Sequence, residues 1–246
     1  MKKNVDCLLL GIVSMGLCTS AFSDSAFQGF DGQISTGYES NSFSSIKPSW
    51  NNVASGGFFN GNGTARNQNA SGMPLVLGAG YFHEIRDKFL LGIGIDYSPL
   101  PQSTGNFGHT STRFDGLVFP WDNMSYRVSN RVNVFLMPGY AFDTDKLGYL
   151  KLGYSTQQLK YTQQADPKVG FTSGFSSSAS LSGFIVGLGY KQVVRDGFYG
   201  FAEANYISYA RRTVSGSGLA ITETIDVSSS PSVRAYNFLA GIGYKF

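Results

Sequence analysis

The end of the chain alternates without a break. Tyr236, Phe238, Ala240, Ile242, Tyr244 and Phe246 fall on one face of an extended strand, and Ala235, Asn237, Leu239, Gly241, Gly243 and Lys245 on the other. Period two is the signature of a strand with two unlike faces. A terminal strand of this kind would leave its aromatic face stranded in water. The pattern makes sense where that face meets lipid and the other lines a closed barrel. That single segment restricts the fold to an all-β membrane architecture.

The opposite terminus agrees. Lys2 and Lys3 precede an apolar run from Cys7 to Leu17, followed by small residues that offer cleavage after Ala21 or Ser23. This is the layout of a bacterial secretory leader, too short for a membrane helix. We read residues 1–23 as signal peptide and 24–246 as the mature barrel domain. Leu17 ahead of Cys18 argues against lipidation. Both cysteines lie in the leader, so the mature chain has no disulfide and no cysteine-ligated metal. Removing Lys2, Lys3 and Asp6 leaves 17 basic and 15 acidic residues, a balance too even for nucleic-acid binding. No later apolar run approaches the roughly 20 residues of a membrane helix. Yet 15% of the chain is aromatic, only 14% is charged, and glycines number 31. Such a composition suits strands wetted by lipid on one side.

Eight segments alternate in this way. The first, about Gly32 to Ser40, sets Ile34, Thr36 and Tyr38 against Gln33, Ser35, Gly37 and Glu39. The second, about Met73 to Ile85, turns Leu75, Leu77, Ala79 and Tyr81 outward. The third puts Phe89, Leu91, Ile93, Ile95 and Tyr97 out and Asp96 in. In the fourth, about Tyr126 to Phe142, Val128, Val132, Val134, Leu136, Pro138 and Tyr140 face out while Arg127, Ser129, Arg131 and Asn133 face in. The fifth places Leu150, Leu152 and Tyr154 out; the sixth Phe184, Val186, Leu188 and Tyr190; the seventh Phe198, Ala202, Ala204 and Tyr206. Connections at 86–88, 143–146 and 195–197 are short. Those at about 41–72, 99–125, 159–180 and 210–232 are long. The expected architecture is an eight-stranded, antiparallel, up-and-down transmembrane β-barrel with short periplasmic turns and four long extracellular loops.

Strand parity sends Glu84, Asp96, Arg127, Arg131, Lys151, Lys191, Glu203 and Lys245 into the lumen. Mixed signs in so narrow a space should pair into an ionic plug; the competing reading is a small gated pore. The pairs Gly78-x-Gly80, Gly187-x-Gly189 and Gly241-x-Gly243 lack the helix and third glycine of a dinucleotide fingerprint and are read as inward glycines of a narrow barrel. His83 sits near a short turn. His109 lies in the second long loop with Ser103, Ser111 and Asp115, a neighbourhood that polar loops produce by chance and that sets out no catalytic triad. No catalytic, metal-binding or cofactor-binding residues are assigned. Aromatic residues in the first two loops, Trp50, Phe58, Phe59, Phe107, Phe114, Phe119 and Trp121, either form a binding surface or pack on each other.

The segments Phe135–Phe142, Leu150–Tyr154, Gly187–Lys191, Ala202–Tyr206 and Gly241–Phe246 resemble the porin-like outer-membrane β-barrel superfamily. That group holds opacity-type adhesins, the OmpA transmembrane domain and small surface antigens of Gram-negative bacteria. The resemblance implies that Glu203 matches the family's glutamate in the penultimate strand. It also implies that Phe238, Ile242, Tyr244 and the terminal Phe246 form the signal read by the barrel-assembly machinery. Implied partners are outer-membrane lipid, lipopolysaccharide and a host or environmental ligand at the loops of a monomer. The function so implied is non-enzymatic: adhesion, recognition or membrane integrity. A narrow solute channel is the alternative, and a lipid-modifying enzyme a more distant one.

Overall fold

The structure, a computed structural model, describes residues 26–52, 60–220 and 223–246. Residues 1–23, expected to form a leader, and the loop residues Phe58 and Phe59 lie outside the described residues. The wall of the barrel is made by β1 (Gly29–Ser44), β2 (Leu75–Arg86), β3 (Phe89–Ser98), β4 (Val118–Asp143), β5 (Lys146–Gln163), β6 (Phe175–Arg195), β7 (Phe198–Tyr209) and β8 (Ser232–Lys245). Each pairs antiparallel with the next. β1 and β8 pair from Asp31↔Lys245 to Ser44↔Ser232 and close the ring. Closure removes the unpaired N–H and C=O groups that an open sheet edge would present to lipid. None of the described residues forms a helix long and apolar enough to cross a membrane.

Alternation carries the apolar residues outward. Ile34, Leu77, Ile93, Ile95, Leu136, Leu150, Leu188 and Ile242 are exposed around the wall. Tyr38, Tyr97, Tyr154 and Tyr236 border this belt on one side, and Phe30, Phe89, Phe142, Phe198, Tyr244 and Phe246 on the other. Two aromatic girdles around an aliphatic band are what a strand barrel needs at the two lipid–water boundaries. The short turns follow local chemistry: Asp196 and Gly197 both take positive φ, at 47° and 83°, the type I′ geometry that matches the twist of a hairpin.

At the opposite end the long connections are not loose. Short strands at 49–51, 61–64, 107–113, 171–173, 214–220 and 223–229 pair side by side and onto the upper part of β4. They form a β-collar that prolongs the wall well past the belt. Its interior is an apolar core holding Phe43, Trp50, Trp121, Met124, Tyr126, Leu159, Tyr161, Phe171 and Leu181. Phe43 stacks on Tyr126 at 5.1 Å, and Trp50 meets Trp121 edge-on at 5.2 Å. The loop aromatics Trp50 and Trp121 are thus core residues; Phe114, at the tip of one hairpin, stays exposed.

One sequence expectation is overturned here. Arg127 was expected in the lumen and Val128 outside it; Arg127 is exposed and Val128 buried. The cause is a β-bulge. On β5 only Gln157 separates the partners of Val132 and Ser129, Thr156 and Gln158, while β4 spends two residues, Asn130 and Arg131, on the same interval. Asn130 takes φ of 52°. One extra residue inverts the phase of every side chain above it. Below the bulge Arg131 and Asn133 point inward as the alternation requires; above it Val128, Tyr126 and Met124 do so instead.

Candidate functional site

The lumen of the barrel holds a stack of ionic clusters. Nearest the short turns, Asp31 of β1 accepts from the Lys191 ammonium of β6 at 3.1 and 3.2 Å and from the Tyr199 hydroxyl of β7 at 2.6 Å. Next, the Lys151 ammonium of β5 donates to Asp96 of β3 at 2.7 Å and to Glu203 of β7 at 3.0 Å. Glu203 also accepts from the Tyr149 hydroxyl at 2.6 Å and from the Asn205 amide at 3.1 Å, and Asp96 accepts from the Asn133 amide. Toward the collar, Arg131 of β4 pairs with Glu39 of β1, which also accepts from the amides of Asn41 and Asn237.

The ion pairs Lys191–Asp31, Lys151–Asp96, Lys151–Glu203 and Arg131–Glu39 each join strands that are not neighbours in the wall. They therefore fix the cross-section of the barrel in a way that ladder hydrogen bonds alone do not. Lys151 is only 1% exposed, so its charge is neutralised by protein rather than by bulk water. Phe135 adds a ring face 4.0 Å from its Nζ. Burial of this order is tolerated only with near-complete pairing. An apolar layer of Phe27, Phe82, Leu90, Phe135, Met137 and Leu147 lies at the short-turn end, and the collar core lies above.

Parity-based reasoning placed Asp96, Arg131, Lys151, Lys191 and Glu203 in the lumen, and the structure brings these into the clusters. Glu84 and Lys245 face inward but are only half-buried, at the short-turn rim. Asp31 and Glu39 were missing from the expected network. Asp31 falls one residue before the strand start read from the sequence. Glu39 was on the inner face, and the residue that gives it a charge partner, Arg131, lies 92 positions away. The glycine pairs also acquire a role. A Cβ on Gly189 would collide with the Tyr149 ring, and one on Gly243 with the Tyr199 ring. The missing side chains let these two tyrosines lie flat on the wall and aim their hydroxyls at Glu203 and Asp31.

In the collar, His109 is 6% exposed and lies between Trp50 and Trp121, with ring centroids 5.8 and 5.7 Å away. Neither ring nitrogen has a hydrogen-bond partner among the described residues, and Ser111 Oγ has none either. Burial lowers the His109 pKa from 6.5 to about 4. Asp115, its sequence neighbour, is instead tied to Arg113 at the hairpin tip. His83 is exposed near the short turn at 87–88.

Among solved structures the chain is similar to the outer membrane protein OprG from Pseudomonas aeruginosa, at 14% identity over 91% of this chain and 99% of that one, with a TM-score of 0.54. It is also similar to the outer membrane protease OmpT from Escherichia coli, at 12% identity over 89% and 97%, with a TM-score of 0.52. No family model matches the sequence, and no curated protein matches it. At these identities the likeness is one of fold: the chain has the fold of an outer-membrane β-barrel protein.

Proposed function

We propose that this chain is a non-enzymatic surface protein of the Gram-negative outer membrane, with the barrel as anchor and the collar as the part that recognises. In this reading residues 1–23 direct export, the short turns face the periplasm, and the collar faces outward. The observation that carries it is the filled lumen: three ionic clusters between two apolar layers, with Lys151, Lys191 and Arg131 all almost wholly buried. Arg127 and Lys160 stand opposite each other on the outer wall above the belt. Like charges facing one another are unfavourable unless an anion lies between them, and lipopolysaccharide phosphates would supply it.

A narrow channel is the second reading, and one observation favours it. Asn41 Oδ1, Arg131 Nε, Asn133 Oδ1, Gln157 Nε2 and Asn205 Oδ1 are buried in the lumen without partners among the described residues, and water would satisfy them. Conductance in a planar bilayer separates the two. With folding verified, the anchor reading expects a silent membrane; discrete and reproducible current steps would replace it with the channel. The lipid-modifying reading would need His109 to act on lipid, and unchanged lipid A in cells carrying His109→Ala would dispose of it.

The terminal strand makes a separate prediction. Phe246 is 79% exposed, its N–H donates to the Phe30 carbonyl at 2.9 Å, and its ring meets Tyr244 at 5.2 Å. Together with Phe238, Ile242 and Tyr244 it presents an apolar end to the barrel-assembly machinery. Deleting Phe246 is expected to lower surface levels several-fold, measured by labelling intact cells. Normal levels of the truncated protein would refute this role.

A further inference from the structure

The outer face of the collar differs from an ordinary solvated sheet. Across the paired short strands, Ser215 faces Ser228, Ser228 faces Ser49, Ser49 faces Asn62, and Asn62 faces Thr112. A parallel row sets Ser217 against Asp226 and Asp226 against Asn51. These side chains are short, and each hydroxyl or amide both donates and accepts. Long lysine, arginine and glutamate side chains, the usual cover of an exposed strand, are absent from both rows.

The rows border an open hollow of about 340 Å³, lined by Ser49, Asn51, Asn60, Asn62, Ser215 and Asp226. Trp50 and Val227 turn their side chains into the collar core, so they meet the hollow with their backbones. Two residues along the same face, at Thr64, a second hollow of about 380 Å³ begins, carrying Arg66, Gln68, Phe107, Pro120 and Asp122. Both hollows are open to solvent along one side, as a groove that a chain-like ligand can lie across would be.

We propose that this face binds an uncharged oligosaccharide, laid across the two hollows. The inference rests on the anchor-and-collar reading and names what the collar recognises. A sugar hydroxyl donates and accepts at once, as do the serine, threonine and asparagine side chains that meet it. Short side chains lose little rotamer freedom when a ligand immobilises them. The aromatic core behind the sheet holds the rows in place before any ligand arrives, so little ordering remains to oppose binding. The charges present are Asp226, Asp122 and Arg66, a net negative balance that repels sulfated or carboxylated glycans. Ser217 donates to Asp226, which fixes that carboxylate at the edge of the first hollow, where it accepts from ligand hydroxyls. Among the described residues that line the first hollow, the apolar ones, Trp50 and Val227, are buried toward the collar core, so polar side chains dominate what it offers a ligand.

The test uses the full mature protein refolded in detergent micelles, with ligand contact read by saturation-transfer NMR. The probes are neutral oligosaccharides of animal glycoproteins, a neutral bacterial O-polysaccharide, and heparin as the sulfated comparison. Binding of either neutral class, at least ten-fold tighter than heparin, is expected, and which class binds identifies the source. Asn51→Ala with Asn62→Ala, and separately Asp226→Ala, should each weaken binding ten-fold or more. Binding of heparin alone, no binding of any neutral saccharide, or full affinity in variants that still fold would each overturn the proposal. The wild-type comparison stands even if a variant misfolds. A protein that binds none of the sugars but still promotes attachment of cells expressing it loses this site and keeps the collar reading. Discrete conductance steps would instead remove the anchor reading.

Discussion

Replacing Lys151 with methionine is expected to destabilise the folded barrel by about 3–5 kcal/mol, the usual consequence of breaking a buried ion pair from one side. The ammonium is shared by Asp96 and Glu203. Without it two buried carboxylates face each other across the lumen with only amide and hydroxyl donors, from Asn133, Asn205 and Tyr149, to hold them. Urea titration in lipid vesicles, followed by the gel mobility difference between folded and unfolded barrel, measures the change. The triple variant Lys151→Met, Asp96→Asn, Glu203→Gln should recover most of the loss, because it removes all three charges and keeps the shape. A single variant as stable as the parent would show that water reaches this cluster and screens it.

Acid should act on the collar through His109. Its folded pKa of about 4 lies below the ordinary 6.5, so the folded collar favours the neutral ring and the unfolded collar takes up a proton first. Stability from this group is therefore complete above pH 6.5 and is lost as pH falls from 6.5 to about 4. The loss reaches at most about 3 kcal/mol, from 1.36 kcal/mol per pKa unit. Trp50 and Trp121, the two tryptophans of the chain, both lie against this histidine, so intrinsic fluorescence reports the collar directly. Emission should change over that interval in the parent protein and stay flat in His109→Phe. A parent protein without a transition between pH 6.5 and 4 would mean that the buried ring finds a proton acceptor on protonation.

The barrel was legible in the sequence because its signals are local and repeated. Ile93–Ile95–Tyr97 and Phe238–Ala240–Ile242 state which face is out, and Arg195–Asp196–Gly197 states where the chain turns. The collar was not legible. Segments such as Gly61–Thr64 and Val214–Ala220 are rich in glycine and small polar residues, with little strand propensity of their own. Their strand state comes from neighbours far away in sequence, as Trp50 pairing with both Gly61 and Val227 illustrates. The partners of the ionic clusters were hidden for the same reason. Parity assigns a charge to the lumen, but only the closed ring decides that Arg131 meets Glu39 and that Lys191 meets Asp31.

The bulge at Asn130 bears on how such proteins can be recombined. β4 faces lipid in one phase and the collar core in the other, and the exchange happens over one residue. A collar transplanted onto another barrel by a cut placed below Asn130 carries its own phase with it. A cut above Asn130, joined to a regular strand, would turn Tyr126 and Met124 to the outside and bring Arg127 into the core. Loop exchange between barrels of this type is therefore governed by where the irregular residue sits, and a junction drawn by sequence length alone inherits the wrong face.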